Sequence, residues 1–398
     1  MKNRGVWKVA VWATALTCAC TATGCSSKAD EASGGEPGVT SSSIKLGVLV
    51  DLSGAFSAGG KATLQGIKIF WDRANEQGGV CDRKVELVVE DHGYNTQTAV
   101  NQYTSTEPDV LAFQMLLGSP MTSALLPRIS EDEVLTIPSS FASSLLENPY
   151  IALTGTTYDK EMSNGIHWLV DHGELKAGDK IGHIYLQGDF GETALAGTRA
   201  AADELGLKVV TQEVQPSDKD MTAQVATMKQ QGVDHIMLTT TPVQTLSAAS
   251  VAAASGFDAK FVGSSFTFIP SLLDGAGGSS LVDSLYVTST LAPLSSDEPG
   301  PTQLRTSYQD QYGDESPNQA LVQGTAAASV MHSVLESACE NGEVTRSAVF
   351  DAFQHLAAVD TKGLVPTLDF SKSGEAPTET SFMSRPDPDA LGGLRLVQ

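Results

Sequence analysis

The sequence predicts an α/β protein made of two similar units, each a parallel sheet with helices on both faces. Three observations carry that expectation. A chain of 398 residues exceeds what one hydrophobic core usually serves. Strands and helices alternate from residue 44 to 140, and the alternation restarts at residue 180 and runs to 262. Alternation of this kind implies parallel strands joined by crossover helices.

Residues 44–50 (IKLGVLV) form a short apolar run that ends in Asp51-Leu52-Ser53-Gly54, the pattern of a buried strand and a turn. The next stretch sets Leu64, Ile67, Phe70, Trp71 and Ala74 on one helical face, and Gly78-Gly79 stops it. A strand over 85–89 is followed by a helix through Ala99, Val100 and Tyr103. A strand over 110–113, a helix over 121–129 and a strand over 134–137, ending at Pro138-Ser139-Ser140, complete the first unit. The second opens with a strand over 180–186, a loop at 188–191 and an Ala-rich helix over 192–205 closed by Gly206. Strands over 208–212, 235–239 and 260–262 alternate with helices over 221–231 and 244–254. Open parallel sheets bind ligands beyond the carboxyl ends of their strands. Loops 51–60, 117–122, 138–144, 187–191, 239–244 and 263–269 are therefore the candidate walls of a cleft between two units.

The N-terminus reads as an export signal. Lys2, Arg4 and Lys8 precede an apolar stretch at 9–17, which is shorter than the roughly 20 residues that span a bilayer. Residues 1–24 form the expected signal peptide, and the run ATGCSS (22–27) resembles a bacterial lipobox with Cys25 as the lipid acceptor. Ala22 stands where Leu is more usual, and Cys20 is the fallback site. After Cys25, residues 26–43 are rich in Ser and Gly and have no apolar period. They are expected to form a flexible tether reaching on the order of 25 Å. A lipidated Cys, a tether and a folded body place the protein on the outer face of the cytoplasmic membrane.

Composition supports a globular body, with 41% hydrophobic and 18% charged residues. The excess of 47 acidic over 25 basic residues gives a net charge of -22, which repels phosphate backbones and argues against nucleic-acid partners. No G-x-S-x-G elbow, H-E-x-x-H pair or paired-Cys zinc spacing occurs, so the chain is read as a non-enzyme without cofactor or metal. The seven His residues are scattered and read as surface or structural. The run AFSAGGKA (55–62) follows a strand and opens a helix, as a phosphate-binding loop would. It lacks the first Gly, and Ala62 offers no hydroxyl for magnesium. Gly59 and Gly60 still leave backbone N–H groups at a helix start, where an anion or carboxylate can sit.

The runs IKLGVLVDLSGAFSAGG, LQGIKIFWDRANEQGGV and KVELVVEDHGYNTQTAV resemble the opening of type 1 periplasmic-binding proteins, in particular the leucine/isoleucine/valine-binding receptors of ABC transporters. DMTAQVATMKQQGVDHIML resembles the family's second-lobe pattern, and GLVPTLDFSKSGEAP its penultimate strand and turn. The similarity spans residues 44–398. It implies two Rossmann-like lobes joined by a three-strand hinge, lobe 1 being 44–154 with 291–358 and lobe 2 being 155–290 with 359–398. It also implies a monomeric solute receptor that closes on a small organic ligand, amino-acid-like or an amide or carboxylate, and hands it to ABC transporter permease subunits. A lipoprotein that signals to a membrane receptor is the alternative.

Carried over position by position, the resemblance places ligand contacts at Ser53 and Phe56 in the first loop and at Ser119 after the third strand. It adds Ser139 and Phe141 after Pro138, Phe190 as a capping aromatic, and Thr241 and Ser265 in the second lobe. Two positions depart from the family. Phe141 replaces a hydroxyl, and Ser265 replaces the carboxylate that pairs with an α-ammonium. A buried ammonium without a counter-charge costs several kcal/mol, so a branched-chain amino acid is disfavoured unless Asp51 or Asp189 has taken over that role. With Cys25 lipidated and the signal removed, Cys81 and Cys339 remain, both in lobe 1 under the family topology. They form one bridge in an oxidising space or stay as two buried thiols.

Overall fold

The computed structural model describes residues 35–313, 317–340 and 342–397. The expected signal peptide, Cys25 and the tether as far as residue 34 lie outside the described residues. At its other end the tether is shorter than the pattern suggests, because residues 36–43 find partners on the body. Val39 bridges Ile44, the Arg83 guanidinium donates to the Thr40 carbonyl at 2.8 Å, and the Arg346 amide donates to the Glu36 carboxylate at 2.5 Å.

The first sheet is built from β1 (Ser43–Val50), β2 (Lys84–Asp91), β3 (Ala112–Leu117) and β4 (Thr136–Ser139), all parallel in the order β2-β1-β3-β4. Helices α1 (Ser57–Glu76), α2 (Thr96–Thr106) and α3 (Ser119–Glu131) connect them. Successive side chains of a strand point to opposite faces, and here both faces are covered. Ile44, Leu46, Val48 and Val50 pack with Ile67 and Trp71, while Leu49 packs with Tyr103 and Phe113 in a different core. β3 and β4 begin two residues later than the expected strands at 110–113 and 134–137. Continuous apolar runs carry no period to mark a strand's start, so Val110, Leu111, Val134 and Leu135 are buried strand entries instead.

The chain then builds α4 (Tyr158–Asp171), β5 (Lys180–Leu186), α5 (Asp189–Leu205), β6 (Lys208–Val214), α6 (Thr222–Gln231), β7 (His235–Thr239), α7 (Pro242–Ala254), β8 (Lys260–Gly263), α8 (Gly278–Ser284) and β9 (Leu285–Ser289). It returns to the first sheet as α9 (Pro299–Tyr312), α10 (Ala320–Glu340) and α11 (Arg346–Gln354), then forms the small ladder of β10 (Ala358–Val359) and β11 (Leu368–Asp369). β12 (Phe382–Pro386) and β13 (Leu394–Leu396) finish the second sheet, whose order is β13-β12-β9-β8-β7-β5-β6. Its first five strands in sequence are parallel, and β12 and β13 join antiparallel. The chain thus passes between the two sheets three times.

Two features lock the first half. α1 and α10 touch through glycines: a Cβ at Gly66 would lie 2.2 Å from the Leu321 carbonyl, and one at Gly324 would lie 2.0 Å from the Thr63 carbonyl. Only Gly allows that backbone approach. Cys81 and Cys339 are joined by a disulfide with Cα atoms 5.9 Å apart, tying the turn after α1 to the end of α10. Among the described residues no helix is long and apolar enough to cross a membrane, and no His/Cys/Asp/Glu group could hold a metal.

Candidate functional site

Between the carboxyl ends of the two sheets lies a solvent-open cleft of about 790 Å³. All six candidate loops contribute to it: Phe56 after β1, Ser119 after β3, Ser139 at the end of β4, Phe190 after β5, Val243 after β7 and Ser265 after β8. Five residues singled out from the sequence, Phe56, Ser119, Ser139, Phe190 and Ser265, therefore share one cavity. Its wall is mainly apolar and aromatic, and among the described residues that line it the ionisable side chains are Tyr94 and Tyr158.

Side-chain carboxylates shape the first loop without entering the cleft. Asp51 is buried and accepts the amides of Ser53, Gly54 and Phe56, which folds the chain back and swings the Phe56 ring against Tyr94 with centroids 4.7 Å apart. A Cβ at Gly60 would strike the Asp51 carbonyl at 1.9 Å, so this turn requires glycine where α1 begins. Opposite, Phe190 packs edge-on against Tyr158 at 4.8 Å. Ser119 and Ser140 share a hydrogen bond of 2.7 Å, and the Ser139 hydroxyl donates to Gln323 Oε1 at 2.9 Å.

Ser53, Phe141 and Thr241 do not line the cleft, each for a local reason. Ser53 is exposed in the first turn, with its hydroxyl bonded to Asp91. Phe141 sits one layer behind, stacked on Phe266 at 5.8 Å and tilted against Tyr158 at 5.8 Å. Thr241 is spent as the N-cap of α7, in a reciprocal box where its amide donates to Gln244 Oε1 at 2.9 Å.

Behind Ser265 lies a group that the sequence did not reveal. Glu161 of α4 is fully buried, and its carboxylate accepts the Ser265 hydroxyl, the Ser265 amide at 3.3 Å and the Thr290 amide at 3.1 Å. Burial pushes its pKa up to about 7, against the opposing pull of those donors. Asp189, the other acid weighed as an ammonium partner, accepts the Ser123 hydroxyl and so joins α5 of the second sheet to α3 of the first. Buried His183 is held between Thr198 and Thr239, both at 2.9 Å, and burial lowers its pKa to about 3, so it is a neutral structural link. Tyr94, Tyr158, Thr63, Asn318 and Gln323 also line the cleft and were missed; Gln323, a lone amide in the apolar run ALVQGTAAASV, carried the one visible signal.

The sequence profile described as periplasmic binding protein matches residues 43–389. No curated protein matches the chain. Among solved structures, a fatty acid ABC transporter substrate-binding protein from Thermomonospora curvata is 39% identical, with a TM-score of 0.89 over 91% of this chain and 93% of its own. A branched chain amino acid ABC transporter protein from Thermus thermophilus with bound valine is 22% identical, with a TM-score of 0.79 over 90% and 96%. A possible leucine/isoleucine/valine-binding protein from Rhodopirellula baltica is 18% identical, with a TM-score of 0.80 over 90% and 96%. The last two similarities speak to fold alone.

Proposed function

Because the chain belongs to the periplasmic binding protein family, we propose that it is the solute receptor of an ABC transporter, anchored by lipid at Cys25 to the outer face of the cytoplasmic membrane and delivering its ligand to the permease. Members of this family bind solutes and do no chemistry on them. In this reading the two lobes are the expected 44–154 with 291–358 and 155–290 with 359–398, except that the last boundary shifts. The third crossing moves beyond Leu368, since Val359, Leu364, Val365 and Leu368 pack into the first core. A ligand touching both walls favours the closed arrangement of the lobes, which the permease then recognises.

The ligand we propose has an apolar body, is neutral or anionic, and lacks an α-ammonium. The observation that carries this is the cleft wall, aromatic and aliphatic, with no carboxylate among the described residues that line it. The 39% identical relative described as binding fatty acid supports the same class. Titration calorimetry with leucine, isoleucine and valine, beside 4-methylpentanoate, octanoate and their amides, tests the proposal. The amine-free compounds should bind at micromolar concentrations and the amino acids should not. Micromolar binding of the free amino acids, lost on Asp189→Ala, would overturn it.

A further inference from the structure

Two polar atoms on the floor of the cleft have no partner. Gln323 is fully buried on α10, and its Oε1 is taken by the Ser139 hydroxyl, which leaves Nε2 unbonded. Thr63 on α1 is 1% exposed, and its Oγ1 is also unbonded. Both residues line the cleft, from two helices whose backbones come together where Gly324 of α10 rides against the Thr63 carbonyl. Buried donors are almost always paired, so two orphans lining one cavity point to a group that arrives from outside.

The chemistry of the floor selects that group. A side-chain amide nitrogen has two N–H bonds and no lone pair to offer, so Gln323 Nε2 can only donate. Next to it is the first turn of α1, where Ser57 and Gly60 amides are taken by the Gly54 and Phe56 carbonyls at 3.3 and 2.9 Å. The amides of Ala58 and Gly59, which also line the cleft, remain for a ligand. Helix N-termini favour negative charge. Of these groups the Thr63 hydroxyl alone could accept from an ammonium, whereas a carboxylate offers two oxygens to several donors.

We propose that this floor is a carboxylate subsite, with Gln323 Nε2 and Thr63 Oγ1 donating to the head group of an apolar acid whose chain lies toward Phe190. Ser139 is the positioning residue that holds the Gln323 amide with its nitrogen toward the ligand. The assignment rests on the reading of the cleft as the ligand site, and it deepens that reading by naming the end at which the acid group sits.

The test compares octanoate with 1-octanol, which has the same chain and no carboxylate, by calorimetry on the mature protein. Gln323→Met should weaken octanoate binding by about tenfold to a hundredfold, as expected for losing a hydrogen bond to a charged group, and should leave octanol within about threefold. Thr63→Val, nearly isosteric, should act in the same direction, and Thr63→Ser should restore the preference for acid. Variants that fold with the parent's melting temperature yet keep its acid-over-alcohol ratio would overturn the subsite and leave the cleft reading standing. A parent protein that binds neither probe would overturn the reading of the cleft as a site for apolar acids, and the subsite with it.

Discussion

Replacing Glu161 by Gln isolates the electrostatics behind the cleft wall. In the folded protein the carboxyl is fully buried, and its pKa rises from 4.5 to about 7. An unfolded chain releases this proton near the ordinary value, whereas the folded chain keeps it until about pH 7. Between those values the folded state binds more protons, so stability falls as pH rises through the window and is flat on either side. A shift of about 2.5 units at 1.36 kcal/mol each makes the loss on the order of 3 kcal/mol. Tyr158, the ionisable neighbour, is pushed further up by burial and stays neutral throughout. Gln resembles the protonated acid and does not titrate. It loses one acceptor, opposite the Ser265 amide, but that cost is the same at every pH. Urea unfolding at pH 4.5, 6 and 8 on both proteins gives the difference curve, in which all other titrating groups cancel. The variant should gain about 3 kcal/mol on the parent between pH 4.5 and 8. Parallel curves would refute the reasoning, because they would mean that the three donors outweigh the burial.

Two further outcomes concern the bond between the sheets and the N-terminus. Ser123→Ala removes the hydroxyl that Asp189 accepts across the two sheets, and should weaken ligand binding about fivefold, mainly through faster release in stopped flow; an unchanged release rate would show that this bond does not hold the closed form. Mass spectrometry of membrane-extracted protein should find a diacylglyceryl mass on Cys25 at the mature N-terminus, and a soluble product beginning at another residue would count against the anchor.

Strands β1 to β8 were legible because burial on both faces leaves apolar runs such as residues 44–50 and 235–239, and the loops after them become the cleft wall by topology alone, whereas β9, β12 and β13 of the second sheet were not read from the sequence. That is why Phe56, Ser119, Ser139, Phe190 and Ser265 could be placed from sequence and family position. Register was not legible, since β3 and β4 start within uniformly apolar stretches. Thr241 looked like a wall residue, but a Thr followed three positions later by Gln is also a capping box, and the helix end took it. Glu161 was invisible for a different reason. Its burial depends on Ser265 and Thr290, more than a hundred residues away, and nothing in its own helix announces them.

The absence of an acid at position 265 would be a weak argument on its own, because a carboxylate can reach an ammonium from another loop. What strengthens it is where the neighbouring carboxylates have gone. Asp51 is satisfied by three backbone amides of its own loop, Asp189 by Ser123, and Glu161 by two amides and a hydroxyl. For Asp51 or Glu161 to swing toward a ligand's ammonium, donors already in place would have to be left unsatisfied, at about 1–3 kcal/mol for each buried group. For Asp51 that also means unfolding the turn that sets Phe56 against Tyr94. Asp189 keeps acceptor capacity beyond its one hydroxyl, which makes Asp189→Ala the control that matters. The unspent polar capacity of the cleft lies at its other end, where Gln323 and the start of α1 can give protons but hardly accept them. We propose that a receptor whose acids are engaged by its own amides and hydroxyls, and whose unbonded donors line the cleft, prefers a carboxylate head over an ammonium one.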